Sequence, residues 1–109
     1  MNPSQNKLSI PLVYRIYKKM KAGFKFDAIK VCDNLLIDGH HRYIASIIAD
    51  VSIESFPSTK NHSQITYNWS DVILKTNEYD SPTDIKYHNF NDAKRNGTTI
   101  EEVKRILSN

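Results

Sequence analysis

Five consecutive residues, Asp38, Gly39, His40, His41 and Arg42, bring together side chains that can hold an anion or move a proton. They lie inside Leu35–Ala49, LLIDGHHRYIASIIA. An apolar run ends at Asp38-Gly39, and beyond it Tyr43, Ile44, Ile47 and Ile48 recur at helical spacing, with Ala45 and Ala49 among them. The pattern predicts a strand that passes through a tight Asp-Gly turn into a helix whose first turn carries His40-His41-Arg42. Unpaired backbone N–H groups and the positive end of the helix dipole gather at such a place, which suits a phosphate or a carboxylate. Arg42 adds a fixed charge and a planar fork matched to phosphate oxygens. Arg42 would then bind phosphate, while one histidine donates to a phosphoryl oxygen or acts as general acid–base near neutral pH. The alternative is a polar helix start that merely pairs with carboxylates. His40 and His41 are poorly placed to share a metal ion, because neighbours on a helix point about 100° apart. A magnesium ion arriving with a nucleotide, held by Asp38 or Glu54 and several waters, fits better. Glu54 itself reads first as an exposed strand residue.

These residues need elements to position them. Residues 1–9 carry little pattern and read as frayed. Pro11 can open a helix with Leu12, Val13, Ile16, Tyr17 and Met20 as its apolar stripe, Arg15, Lys18, Lys19 and Lys21 mainly off it, and Gly23 as its stop. A short strand over about Asp27–Val31, a connection at Cys32-Asp33-Asn34 and a returning strand Leu35–Asp38 make a hairpin. After the helix that starts at His40, Val51–Phe56 alternates as a strand stopped by Pro57, and 58–63 is polar loop. A strand centred on Val72-Ile73-Leu74 comes after Trp69. Ser81-Pro82-Thr83-Asp84 opens a helix carrying Ile85, His88 or Asn89, and Ala93, which ends at Asn96-Gly97. Thr99-Ile100-Glu101-Glu102 is a capping box for a last helix with Ile100, Val103, Ile106 and Leu107 inward. The predicted order is α-β-β-α-β-β-α-α, an α+β fold with a small mixed sheet and packed helices.

With 109 residues the chain is one domain, large enough to bury a core without staples. Its single cysteine, Cys32, excludes an internal disulfide and a four-cysteine zinc site, and with no histidine or acid signature around it reads as a spectator thiol. No run reaches the apolar length of a membrane span, and the polar start MNPSQNK is unlike a signal peptide, so any export would depend on another part of a longer polypeptide. The formal charge is +3, and up to Val31 the cations Lys7, Arg15, Lys18, Lys19, Lys21, Lys25 and Lys30 face Asp27 alone. Such a basic first third beside an anion site suggests a phosphorylated ligand, a nucleotide or nucleic acid, against the plainer alternative of a solvated helix face. Trp69, Tyr67 and Tyr79 offer faces on which a base could stack, although packing is the commoner use of each. Lys25 and Lys30 flank the first hairpin strand, either lining a phosphate path or discouraging edge pairing.

From Leu12 to Phe56 the chain resembles the ParB/sulfiredoxin superfamily, through Leu36-Ile37-Asp38-Gly39-His40-His41-Arg42-Tyr43-Ile44-Ala45 set behind a hairpin. The resemblance covers a little under half of the chain. It implies a core at about 11–57 built of a helix, a hairpin, a Gly-x-x-Arg turn opening a second helix and a further strand, with about 65–109 as a C-terminal extension. Members bind nucleotides at this turn, and their activities include nucleotide hydrolysis, phosphorylation and nuclease action. Carried over by position, Gly39 would let phosphates approach the backbone, His41 and Arg42 would contact them, and Asp38 would fix the turn or help hold magnesium. His40 stands where a sulfiredoxin has its cysteine, which argues against sulfinic-acid repair. No helix-turn-helix or dimerisation region comes after the motif, which argues against a partitioning clamp. The Leu8-Ser9-Ile10-Pro11 front and the added C-terminal piece look similar to ParB-like domains at the ends of bacterial polymorphic toxins. That setting implies action in the cytoplasm after delivery within a longer secreted protein, and an acidic immunity protein as partner. Two other classes remain open: a non-catalytic nucleotide- or DNA-binding module, and an interaction protein in which the motif is a relic.

Overall fold

In the computed structural model, which describes residues 1–109, the chain runs β1 (Asn2–Pro3), β2 (Lys7–Ser9), α1 (Ile10–Lys21), β3 (Ile29–Cys32), β4 (Leu35–Asp38), α2 (His40–Ala49), β5 (Ser55–Pro57), a 3-10 turn (Trp69–Asp71), β6 (Ile73–Lys75), α3 (Pro82–Arg95) and α4 (Ile100–Leu107). The fold is α+β. A four-stranded mixed sheet has the order β1-β4-β3-β5, and β2 pairs with β6 as a separate parallel ribbon. The predicted hairpin forms the centre of the larger sheet: Cys32 pairs with Leu35 across the turn Asp33-Asn34, whose Asp33 takes a left-handed φ of 52°. Leu35 and Leu36 are buried there.

The first nine residues are ordered, contrary to the expectation that they fray. β1 lies parallel to β4, β2 lies parallel to β6, and Pro3, Leu8 and Ser9 are buried. These strands are too short to declare themselves by alternation; they form because sheet edges and side chains far along the chain receive them. The Ser4 hydroxyl donates to the Leu36 carbonyl at 2.7 Å, and the Ser9 hydroxyl donates to the Asn77 carbonyl at 2.7 Å. Ser9 also caps α1 by accepting the Leu12 N–H, with Pro11 in the first turn as expected.

The core lies where α1 meets α2, around Val13, Met20, Ala45 and Ala49, with Ile16, Tyr17, Phe26, Ile44 and Ile53 packed against it. α2 turns its small residues Ala45, Ser46 and Ala49 inward, which lets the two helices approach closely. Ile47 and Ile48 consequently point outward and stay 57 % and 58 % exposed, although their spacing had marked them as part of the apolar face. α2 ends at Asp50, in the left-handed region at φ 56°, with the Val51 N–H returning to the Ser46 carbonyl at 3.0 Å.

The strand expected over Val51–Phe56 is confined to Ser55–Pro57. Pro57 lies within it rather than stopping it, because β5 is an edge strand and tolerates a missing N–H. Ile53 instead serves the core. α3 begins with a reciprocal capping box between Ser81 and Asp84. At α4 the Thr99 hydroxyl accepts the Glu102 N–H, but Glu102 turns its own carboxylate to Arg105, so the box is only half made. α4 buries Val103 and Ile106, and Lys18 on α1 donates to the Leu107 carbonyl at 2.9 Å, tying the C-terminal helix to the first. No helix is long and apolar enough to cross a membrane.

Candidate functional site

β4 carries one residue more than the strand opposite it. Lys30 pairs with Asp38 while Val31 pairs with Leu36, so the register slips at Ile37. A bulge of this kind bends a strand and re-aims the residues beyond it. Directly beyond Asp38 stands Gly39, at φ 93° and ψ 29°, the N-cap of α2. A Cβ at Gly39 would stand 2.7 Å from Ile29 Cγ2 and 2.8 Å from Arg42 Nη2. Glycine is therefore required twice: for the left-handed backbone and for the room its own absent side chain leaves to the guanidinium. The first helical bond runs from the Tyr43 N–H to the Gly39 carbonyl at 2.8 Å. The N–H groups of His40, His41 and Arg42 precede it, no side chain caps them, and no acid occupies the first turn.

Arg42 folds back across this turn. Its Nη2 donates to the Ala28 carbonyl at 3.3 Å and lies 4.0 Å from Asp38 Oδ2. Its Nε is buried and has no hydrogen-bond partner. A buried, unpaired donor on a cation is costly, and here it sits beside the open helix end. Asp38 is exposed, with no closer partner than Arg42.

The two histidines are engaged by the fold. His40 Nε2 accepts the Ser4 N–H and His41 Nε2 accepts the Ser9 N–H, each at 3.0 Å. Each ring thus holds one end of the segment that carries β2, which is why those residues are ordered. A nitrogen that accepts an N–H is unprotonated, so both rings are neutral with the remaining proton on Nδ1. Their ionisation agrees: burial, with the neighbouring His41, lowers His40 to about 4 against the opposing pull of Asp38. Burial also lowers His41, and Arg42 reinforces this while Asp80 opposes it. Tyr79 meets the His41 ring edge-on at 5.8 Å.

The turn opens into a cavity of about 350 Å³, walled on one side by Gly39–Arg42 and on the others by α1 and by the chain from Asp80 through α3. α1 contributes Arg15 and Lys19; α3 contributes His88, Asp92 and Arg95. Ion pairs cross between these walls. Arg15 binds both Glu78 and Asp80, Lys19 binds Asp92 at 2.6 Å, and Arg95 binds Asp27. Lys19 is 3 % exposed, although its place off the apolar stripe predicted a solvated residue; its carboxylate partner on α3 is what draws it in. The basic first third of the chain is therefore in part an internal counter-charge to the acids of residues 78–92.

Asp38, Gly39, His40, His41 and Arg42 all line this cavity. Glu54 does not: it lies exposed beside a separate depression walled by Phe24, Phe26 and Ile53. Cys32, Lys25 and Lys30 also stand outside the cavity. Trp69 stacks on Tyr43 at 5.8 Å and donates from Nε1 to the Met1 carbonyl at 2.6 Å, so its ring is already occupied. No group of three or more His, Cys, Asp or Glu side chains converges to hold a metal ion. Asp38 can supply one carboxylate to magnesium that brings phosphate oxygens and water as its other ligands, the usual manner of that ion. The charged or titratable residues lining the cavity outside the Asp38–Arg42 motif are Arg15, Lys19, Asp27, Asp80, His88, Asp92 and Arg95. A signal for most of them existed: Arg15 and Lys19 are four apart, and His88, Asp92 and Arg95 have the i, i+4, i+7 spacing of one helix face. No protein-family model, curated protein or solved structure matches this chain.

Proposed function

We propose that the cavity at the start of α2 binds a phosphorylated ligand of nucleotide size and promotes phosphoryl transfer or hydrolysis of a phosphoanhydride or phosphodiester. One observation carries this: an uncapped helix N-terminus, opened by a left-handed glycine, beside an arginine whose buried Nε has no partner. Three backbone donors and a guanidinium then converge on one anion, and their electrostatic stabilisation of charge developing on phosphorus-bound oxygens is the main catalytic effect such a site can supply. The resemblance of Asp38–Ala45 to the ParB/sulfiredoxin superfamily supports the same assignment. The cavity volume favours a nucleotide over a polymer, as does the pairing of Arg15 and Lys19 with acids, which leaves fewer cations free to track a backbone. Asp38 would hold magnesium brought by the ligand.

The test is a product assay with ribonucleotides, RNA and plasmid DNA, with and without magnesium, on the wild-type protein and Arg42→Ala. Phosphate release or cleavage that Arg42→Ala abolishes, in a protein that stays folded, is the expected result. Arg42→Lys should recover little of it, because an ammonium cannot reproduce the fork. Ligand retention without turnover would make the domain a binding module. Unchanged binding in a folded Arg42→Ala protein would overturn the site.

A further inference from the structure

The cavity contains three imidazoles, and the fold has engaged two of them. His40 and His41 each accept a backbone N–H at Nε2, from Ser4 and Ser9, and are held neutral with their rings locked to the N-terminal segment. Protonating Nε2 of either ring would leave a backbone donor without its partner. The third is His88, on the opposite wall, in the second turn of α3. Its side chain is 55 % exposed and makes no hydrogen bond within the protein; its Nε2 lies 3.9 Å from Asp80 Oδ2.

The charges around His88 are specific. Asp80 lies beside Nε2, and is itself held by Arg15 of α1. On α3, Asp84 stands one turn before His88 and Asp92 one turn after, with Asp92 occupied by Lys19 of α1 and Asp84 by the Ser81 cap. Arg95 lies further along the same face and is bound to Asp27, and the Tyr87 ring meets the imidazole at 5.9 Å. Arg15, Lys19 and Arg95, the cations that share the cavity with His88 on the two facing helices, are thus each paired with a carboxylate. His88 is the side chain of this wall left free to gain charge when an anion enters.

We propose that His88 is the imidazole that contacts the phosphoryl ligand and takes up a proton from solvent as the ligand binds. The inference rests on the assignment of the phosphate site to Gly39–Arg42 and adds a second wall to it. α3 becomes part of the binding site rather than a cover over a finished core. It also supplies an imidazole with no backbone N–H on Nε2, which His40 and His41 both carry.

Inorganic pyrophosphate is the probe. Proton NMR of the ring Cε1–H signals, assigned with His88→Gln, would track each histidine across pH 4.5–8.5 with and without the probe. The expected result is that the midpoint of the His88 signal rises by about one pH unit when pyrophosphate binds. By linkage that rise equals about tenfold tighter binding at low pH than at high pH, measured as the difference between wild type and His88→Gln so that the titration of pyrophosphate itself cancels. His88→Gln should bind about as well as wild type at pH 8.5 and about tenfold worse at pH 5.5. Since His88 is an exposed helix residue, the variant should fold. If pyrophosphate binds, Arg42→Ala abolishes binding and the His88 signal does not move, the role of His88 fails while the phosphate site stands. Movement of His40 or His41 in place of His88 overturns the proposal equally. If wild type and Arg42→Ala bind alike, or neither binds, the phosphate site fails and His88 with it.

Discussion

His40 shows how one side chain can tie together distant parts of the chain. Buried in the first turn of α2 and accepting the Ser4 N–H, it is neutral in the folded protein and lowered to about 4, while in the unfolded chain it has the ordinary histidine value of about 6.5. Between those limits the unfolded state binds a proton that the folded state refuses. Its contribution to stability is therefore complete above pH 6.5 and is lost as the pH falls towards 4, an amount on the order of 3 kcal/mol. His41 acts in the same direction. His40→Gln keeps an acceptor near Nε2 without the titration, so the fall in melting temperature between pH 6.5 and 4 should be visibly shallower in that variant than in wild type. An identical pH profile would show that the imidazole is not the group responsible.

At the scale of elements, α1 and α3 are joined by charge. Lys19 is almost wholly buried, and its ammonium meets Asp92 at 2.6 Å. Removing one partner from such a pair strands a desolvated charge, which costs more than replacing both. Asp92→Ala should lower stability by about 3 kcal/mol in urea unfolding, whereas the double change Lys19→Met with Asp92→Leu should recover most of that loss. Equal losses in the single and double variants would mean that the pair is solvated and its geometry incidental. One helical turn earlier on α1, the Arg15 fork on Glu78 and Asp80 ties the helix to the segment just before α3, in a more exposed setting.

For the molecule as a whole, the consequence is that the C-terminal third is not an appendage. Residues 78–109 supply the acids that balance Arg15 and Lys19, the buried side chains Ala93, Val103 and Ile106, and the wall of the cavity that carries His88. A chain ending at Asn77 should lose its cooperative thermal transition in calorimetry, since it would expose the flank of α1 and leave a buried lysine without a counter-charge. A sharp transition near the wild-type temperature would show that the unit from β1 to β6 stands alone.

Much of this was legible from the chain. The hairpin, the Asp-Gly passage into α2, Pro11 and Ser81-Pro82 at helix starts, and Gly23 and Gly97 near helix ends are local signals, because caps, turns and left-handed positions are set by residues within a few places of one another. The gathering of Asp38, Gly39 and Arg42 at one helix end came from the same local logic. Other features depended on partners that sequence spacing does not reveal. β1 and β2 exist because Leu35–Leu36 and Ile73–Lys75 lie alongside them, and because two histidines more than thirty residues away accept N–H groups from Ser4 and Ser9. Lys19 is buried and Ile47 and Ile48 are exposed for a related reason: which flank of an amphipathic helix faces inward depends on what packs against it. Local residue choice set the helices, the hairpin and the glycine turn at the start of α2. The pairing of His40 and His41 with Ser4 and Ser9, of Arg15 and Lys19 with Asp80 and Asp92, and the place of His88 in the same cavity came from the tertiary arrangement, since long-range pairing is settled by which surfaces meet.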